Sequence, residues 1–193
     1  MSRPRTFEET AALRAALQTF WRYGYEGASM ELLAEAMGMN KASIYRVFGS
    51  KQELFERVRE VYHREYLRFR IEALGQRTPK MIATRLLHGM VNLHAEQETP
   101  AGCLETNAAL AIGPEKERIR AQLAESREAL WDLLTERFED TKDDGGLPPS
   151  MSASDAAAIV STLVQGLAVQ AKSGRSKEEL TELVNAVLRT WPD

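Results

Sequence analysis

The sequence predicts an all-α protein of about nine helices, with a three-helix head carrying a helix-turn-helix and a larger helical body. Three observations predict it. Apolar residues recur at three- and four-residue spacing along most of the 193 residues, and no run alternates convincingly with period two. Thr6/Glu9, Ser50/Glu53 and Ser176/Glu179 have the spacing of capping boxes, each ahead of an apolar-periodic run. Gly and Pro punctuate the boundaries between these runs, at Gly38, Gly49, Pro79, Pro100, Gly113-Pro114 and Gly174.

Taken in order, the Thr6/Glu9 box opens helix 1, which runs to about Tyr23. Ser29 caps helix 2, whose apolar face is Leu32, Leu33, Ala36 and Met37; Gly38 stops it, because glycine tolerates a left-handed turn. Asn40 caps helix 3, with Ile44, Val47 and Phe48 on its apolar side, and Gly49 ends it. Helix 4 runs from Lys51 to about Leu74 and joins head to body. Thr78-Pro79, an N-cap followed by proline, opens helix 5 to about Gln97. Thr99-Pro100 introduces a short helix through Cys103 to Ala111, and Gly113-Pro114 opens helix 7 to about Glu139. The long loop spans 141–152. Helix 8 follows, from about Ala153 to Lys172, and Ser176 opens helix 9 to Trp191. The expected division is a three-helix head at 1–51 and a helical body at 52–193.

Composition bounds the function. An apolar content of 44% supplies a core, yet no stretch of about 18 apolar residues could span a membrane. The N-terminus MSRPRTFEET lacks the apolar region of a signal peptide, and a single cysteine cannot form an internal disulfide, so a cytoplasmic location is expected. The net charge of −3 is uneven: residues 1–51 carry seven Lys or Arg against five acids, and the remainder is acidic. A modestly basic head on an acidic body suits contact with DNA through the head alone.

The outward side of helix 3 carries that chemistry. Lys41, Ala42, Ser43, Tyr45 and Arg46 remain after the apolar face is assigned. Lys, Arg and Ser suit base edges or phosphates, and Ala can touch a thymine methyl. Spacing alone also fits an ordinary helical hairpin with solvated charges. The surrounding run FWRYGYEGASMELLAEAMGMNKASIYRVFGSKQELF resembles the N-terminal domain of the TetR family of bacterial transcriptional regulators. The resemblance fixes Phe20, Gly24, Tyr25, Gly27, Ser29, Ala34, Gly38, Lys41, Tyr45, Phe48, Ser50, Lys51, Leu54 and Phe55 at once. Arg46 and Gly49 depart from the residues the family often has there; Arg46 is expected to alter which bases are read. The resemblance implies a helix-turn-helix DNA-binding domain at 1–51 and an effector-binding and dimerisation domain at 52–193, in a repressor that holds an inverted-repeat operator as a homodimer and is released by a small organic or electrophilic effector. The expected DNA contacts are Ser29, Lys41, Ala42, Ser43, Tyr45, Arg46 and Lys51, with Arg3 and Arg5 as either a DNA-reaching arm or a frayed end.

Helices 8 and 9 carry wide apolar stripes, and the resemblance implies a four-helix dimer interface through Ile159, Leu163, Leu167, Leu180, Leu183 and Val187; plain internal core is the alternative. The expected effector pocket draws on Tyr62, Tyr66, Phe69, Met90, His94, Cys103, Asn107, Arg127 and Trp131, a set that also describes core. Leu104, Leu123 and Leu134 are further candidate linings. Cys103, near the start of a short helix, has either a thiolate-favouring site for sensing electrophiles or oxidants, with Lys172 as a possible neighbour, or a packed thiol. His88 and His94 lie six apart on different helix faces and no metal motif occurs, so neither metal nor other cofactor is expected. No nucleophile elbow or phosphate loop is present, which argues against an enzyme.

Overall fold

The computed structural model describes residues 5–95, 99–110, 113, 116–147 and 150–191. Among the described residues ten α-helices follow one another: α1 Arg5–Gly27, α2 Met30–Met37, α3 Lys41–Phe48, α4 Lys51–Tyr66, α5 Phe69–Leu74, α6 Pro79–Ala95, α7 Leu104–Leu110, α8 Glu117–Thr141, α9 Ala153–Lys172 and α10 Lys177–Leu188. No strand occurs among the described residues. Arg3, Ala111 and Pro114 lie outside them. The first helix begins at Arg5, just ahead of the expected cap at Thr6.

The head forms as its caps dictate. The Ser29 side chain accepts from the Leu32 N–H, and the Asn40 side chain accepts from the Ser43 N–H at 2.8 Å, so each short helix starts with an orphan donor satisfied. Gly38 ends α2 in the left-handed conformation, with the N–H groups of Gly38 and Met39 returned to Glu35 and Ala34. Ser50 and Glu53 satisfy each other's backbone reciprocally at the start of α4. Leu33, Met37, Ile44 and Phe48 are buried, while Leu32 and Ala36 of the expected face of helix 2 are exposed. The regular part of α1 stops at Tyr23, because Gly24 takes φ 71°, ψ 177°. That kink turns Tyr25 back, so that it stacks on Phe20 at 6.0 Å and meets Phe55 of α4 at 5.2 Å.

One expected helix is two. The run from Lys51 to Leu74 breaks at Leu67, whose backbone sits at φ −99°, ψ 7°. No Gly or Pro marks the break; long-range packing makes it. Leu67 turns into the core, and Phe69 seats against α6 at Gly89, where a side chain on Gly89 would collide with the Phe69 ring.

The body is built on α6, which packs against α5, α9 and α10, and on the α8–α9 pair. Buried residues along α6, including Ile82, Ala83, Leu86, Leu87 and Met90, fill its centre; each large apolar side chain contributes roughly 1.5–3 kcal/mol on burial. Ser152 with Asp155, and Ser176 with Glu179, form capping boxes for α9 and α10. The last helix stops at Leu188, three residues before the expected end, but Trp191 still buries itself edge-on to Phe138 at 5.9 Å. Among the described residues no helix is long and apolar enough to cross a membrane.

Candidate nucleic-acid interface and effector site

Helix α3 turns Ile44 and Phe48 inward and leaves Lys41, Ala42, Tyr45 and Arg46 exposed, with Ser43 half-buried among them. Tyr45 is 50% exposed, although an aromatic ring usually gains by burial. Arg46 reaches back to the Ser43 hydroxyl at 3.5 Å, so the two side chains share one spot on the outer edge. Lys41 pairs with Glu31 of α2, which holds the Glu31 carboxyl below its usual range. Lys51 is half-buried with its ammonium 4.6 Å from the Tyr25 ring centre, and burial lowers its pKa. Ser29 is spent on its cap.

Behind this edge the head is fastened to the body at two places. In the first, α4 carries Arg57 to Glu9 of α1 at 3.2 Å and Glu65 to Arg14 at 3.2 Å. In the second, α1 rests on the segment around α7: Trp21 donates its indole N–H to the Gly102 carbonyl at 2.7 Å, and Asn107 donates to the Trp21 carbonyl at 3.2 Å. Gly102 is held at φ 83°, where a Cβ would lie 2.9 Å from the Ala168 carbonyl oxygen, so only glycine fits between α1 and α9.

Glu105 joins these two fastenings. One carboxylate oxygen accepts from Arg59 Nε at 2.7 Å and lies 2.9 Å from His63 Nε2, both on α4; the other accepts from the Ser126 hydroxyl of α8 at 2.8 Å. Burial alone would raise the Glu105 pKa, but the hydrogen bond and charge of His63, then those of Arg59, outweigh it and bring it to about 2. An ionised carboxylate only accepts, so the His63 Nε2 facing it carries the proton.

Two residues before Glu105 in the chain lies Cys103. It is 4% exposed, and the buried Tyr62 hydroxyl donates to its sulfur at 3.4 Å. Burial, followed by the nearness of Cys103, pushes the Tyr62 pKa well up. Lys172 is elsewhere, donating to the Arg22 carbonyl at 2.8 Å. His94 is fully buried and burial takes its pKa down to about 4, partly offset by the Gly102 backbone; neither ring nitrogen has a hydrogen bond of normal geometry among the described residues.

The expected pocket residues separate into groups. Met90, Cys103 and Arg127 border a cavity of about 30 Å³ together with Arg70, Glu105 and Ser161. Tyr62 and Tyr66 instead clasp Trp21 edge-on at 5.0 and 5.1 Å, Phe69 packs on Gly89, Asn107 ties α7 to α1, and Trp131 is 38% exposed on α8. Leu104, Leu123 and Leu134 are buried in the core. A larger groove of about 540 Å³ runs between α4–α5 and α8, with Arg59, His63, Arg70, Ile71 and Leu133 on its walls. Arg70 and Glu105 were not among the expected residues; Arg70 sits just past an unforeseen helix break, and Glu105 gains its partners only in three dimensions. No group of three or more His, Cys, Asp or Glu that could hold a metal occurs among the described residues.

The six apolar residues expected at a dimer interface divide as well. Ile159 and Leu183 are 40% and 39% exposed, and Leu163 and Val187 are half-buried. Leu167 and Leu180 are instead buried in the protomer's own core, at 2% and 1%, because α9 lies against α6 and α8, and α10 against α6.

Known proteins share the sequence pattern and the fold of this chain. Residues 12–58 match the bacterial regulatory proteins of the tetR family, and residues 84–187 match the tetracyclin repressor-like C-terminal domain. The HTH-type transcriptional repressor ComR of Escherichia coli (strain K12) is 28% identical over 99% of this chain and 92% of its own. The TetR family regulator CifR, solved as a cysteine mutant with 26-base-pair operator DNA, is 37% identical with a TM-score of 0.90, covering 98% of this chain and 100% of that one. A TetR regulator from Rhodococcus sp. RHA1 is 34% identical with a TM-score of 0.63, covering 94% and 97%.

Proposed function

We propose that this chain, which belongs to the TetR family of bacterial transcriptional regulators, represses transcription as a homodimer on an inverted-repeat operator and lets go when its body takes up a small organic effector. Binding DNA to regulate transcription is the family's activity, and it is not an enzymatic one. The observation that carries the finer reading is the outward edge of α3, with Ala42, Ser43, Tyr45 and Arg46 presented beside a fully apolar inner face. In a helix-turn-helix the second helix enters the major groove with its first turns at the base edges. Ser43 and Arg46, joined on that edge, are the base readers; Tyr45, Lys41 and Lys51 hold phosphates. Ala42 is small enough for close approach, and Ser29 stays at the α2 cap, where a phosphate can share its exposed turn.

A single α3 covers only a few base pairs, so a second copy supplies the other half-site at a spacing of roughly 34–36 Å. Ile159 and Leu183, exposed in one chain, with the half-buried Leu163 and Val187, supply apolar surface on α9 and α10 for that copy. Similarity to CifR, which was solved on operator DNA, supports the DNA partner. An effector works by preferring a state with the wrong head spacing, with a coupling typically ~1–3 kcal/mol.

A titration of operator affinity against salt tests the reading. The affinity falls with a slope near −0.9 per phosphate contact, roughly, and an inverted repeat outcompetes scrambled DNA. Arg46→Ala and Ser43→Ala change sequence preference; equal weakening on every sequence would show that they touch only phosphate.

A second reading makes Cys103 the sensor. It is favoured by the cavity of about 30 Å³ that borders Cys103.

A further inference from the structure

We propose that the groove between α4–α5 and α8 takes an organic anion, a carboxylate on an extended apolar body, and that Arg70 is the residue that holds its charge. The proposal rests on the effector reading above and gives that effector a chemical class. The groove's volume, about 540 Å³, lies within the range of small-molecule sites.

Its two walls run in the same direction. At one end Gln122 of α8 donates to Glu56 of α4, and at the other Arg137 of α8 donates to the Leu74 carbonyl that closes α5. The end near Gln122 is therefore polar, with Arg59, His63 and Ser126 already engaged on Glu105. The other end is apolar and uncovered: Ile71 is 74% exposed and Leu133 46%.

Arg70 stands between the two ends. Its Nε is buried and has no hydrogen-bond partner among the described residues, unlike Arg59, whose Nε is satisfied by Glu105. A buried guanidinium N–H without an acceptor is costly, and the guanidinium fork matches a carboxylate with two parallel hydrogen bonds. Among the described residues, Arg68, also on the groove, has no acidic partner either, and Glu125 is the one acid that lines the groove. The lining is thus left net positive, and its charge and its bare apolar end are both complemented by an amphipathic acid. A neutral ligand would cover Ile71 and Leu133 but leave Arg70 unanswered. Arg70 also borders the small cavity at Cys103, so an anion on it sits where α5, α7 and α8 converge.

The test uses the full chain and titration calorimetry with straight-chain carboxylates from hexanoate to decanoate, each beside the primary alcohol of equal length. Operator release is measured in parallel. Acid affinity is expected to rise roughly fourfold per added methylene. The matched alcohols bind at least tenfold more weakly. Arg70→Met loses at least tenfold for every acid, and Arg70→Lys recovers part of it. Leu133→Glu, at an exposed position that leaves folding intact, weakens the longer acids most. Alcohols binding as well as acids, or acids binding unchanged to both Arg70→Met and Leu133→Glu, overturn the proposal. Acids that bind through Arg70 yet leave the operator bound uphold the ligand class and refute the effector reading. Neutral compounds that release the operator, where acids neither bind nor release it, refute the ligand class and leave the effector reading standing.

Discussion

Replacing Glu105 with Gln takes one charge from the point where α4, α7 and α8 meet. The carboxylate holds Arg59, His63 and Ser126 at 2.7, 2.9 and 2.8 Å, and it is 8% exposed. Its pKa is depressed from 4.5 to about 2, so the folded state favours the ionised form. Such a group adds stability that is complete above the unfolded pKa and is lost as pH falls through the folded one. The difference corresponds to on the order of 3 kcal/mol near neutral pH, in the same range as breaking a buried pair by removing one partner. In a chain of this size that lowers the melting temperature by roughly 6–12 °C. Thermal melts of wild type and Glu105→Gln, followed by circular dichroism from pH 7.5 to 3, read it directly. The gap is full above about pH 5 and narrows below that, as the carboxylate of the unfolded chain protonates first and that of the folded chain only near pH 2. A gap under about 2 °C at neutral pH, or one that stays constant into acid, would refute the account of Glu105 as an ionised anchor.

Three further outcomes are expected. Tyr45→Ala weakens binding to every DNA sequence and reduces the salt slope by roughly one phosphate's worth, seen by fluorescence anisotropy at several salt concentrations; an effect confined to one operator would make Tyr45 a base reader. Leu183→Glu, at a position 39% exposed in a single chain, shifts the protein from dimer to monomer in sedimentation while leaving its helicity unchanged; a persisting dimer would move the interface off α10. Cys103, at 4% exposure, reacts slowly with a maleimide in the folded protein and rapidly once denatured. If a small oxidant also leaves operator binding unchanged, the thiol is a packed side chain and the sensor reading fails.

The head was legible because its signals are local. Ser29, Gly38, Asn40, Ser50 and Glu53 act on backbone groups within four residues, so their chemistry is visible in a short window of sequence. The body's key contacts are not local. Glu105 meets His63 and Arg59 across 42 and 46 positions, and nothing near it in the sequence announces either. The break at Leu67 is likewise set by Phe69 seating on Gly89, twenty residues downstream, with no Gly or Pro at the break itself. Apolar periodicity identified α9 and α10 as amphipathic but could not say which flank meets the protomer's core; Leu167 and Leu180 went inward and Ile159 and Leu183 stayed out.

The double fastening of the head turns a small internal displacement into a change of scale. Helix α4 has 16 residues, hence a length of about 24 Å. Were α4 to pivot at its broken end by about 10°, its Lys51 end would sweep about 4 Å, slightly more than one base step of ~3.4 Å. Because Trp21 and Asn107 pin α1 to the α7 segment, the head cannot follow α4 freely; it must tilt about that second support. Two supports a short distance apart act as a fulcrum and a crank. A shift between them too small to disturb the core would be read out at the far end as about one base step.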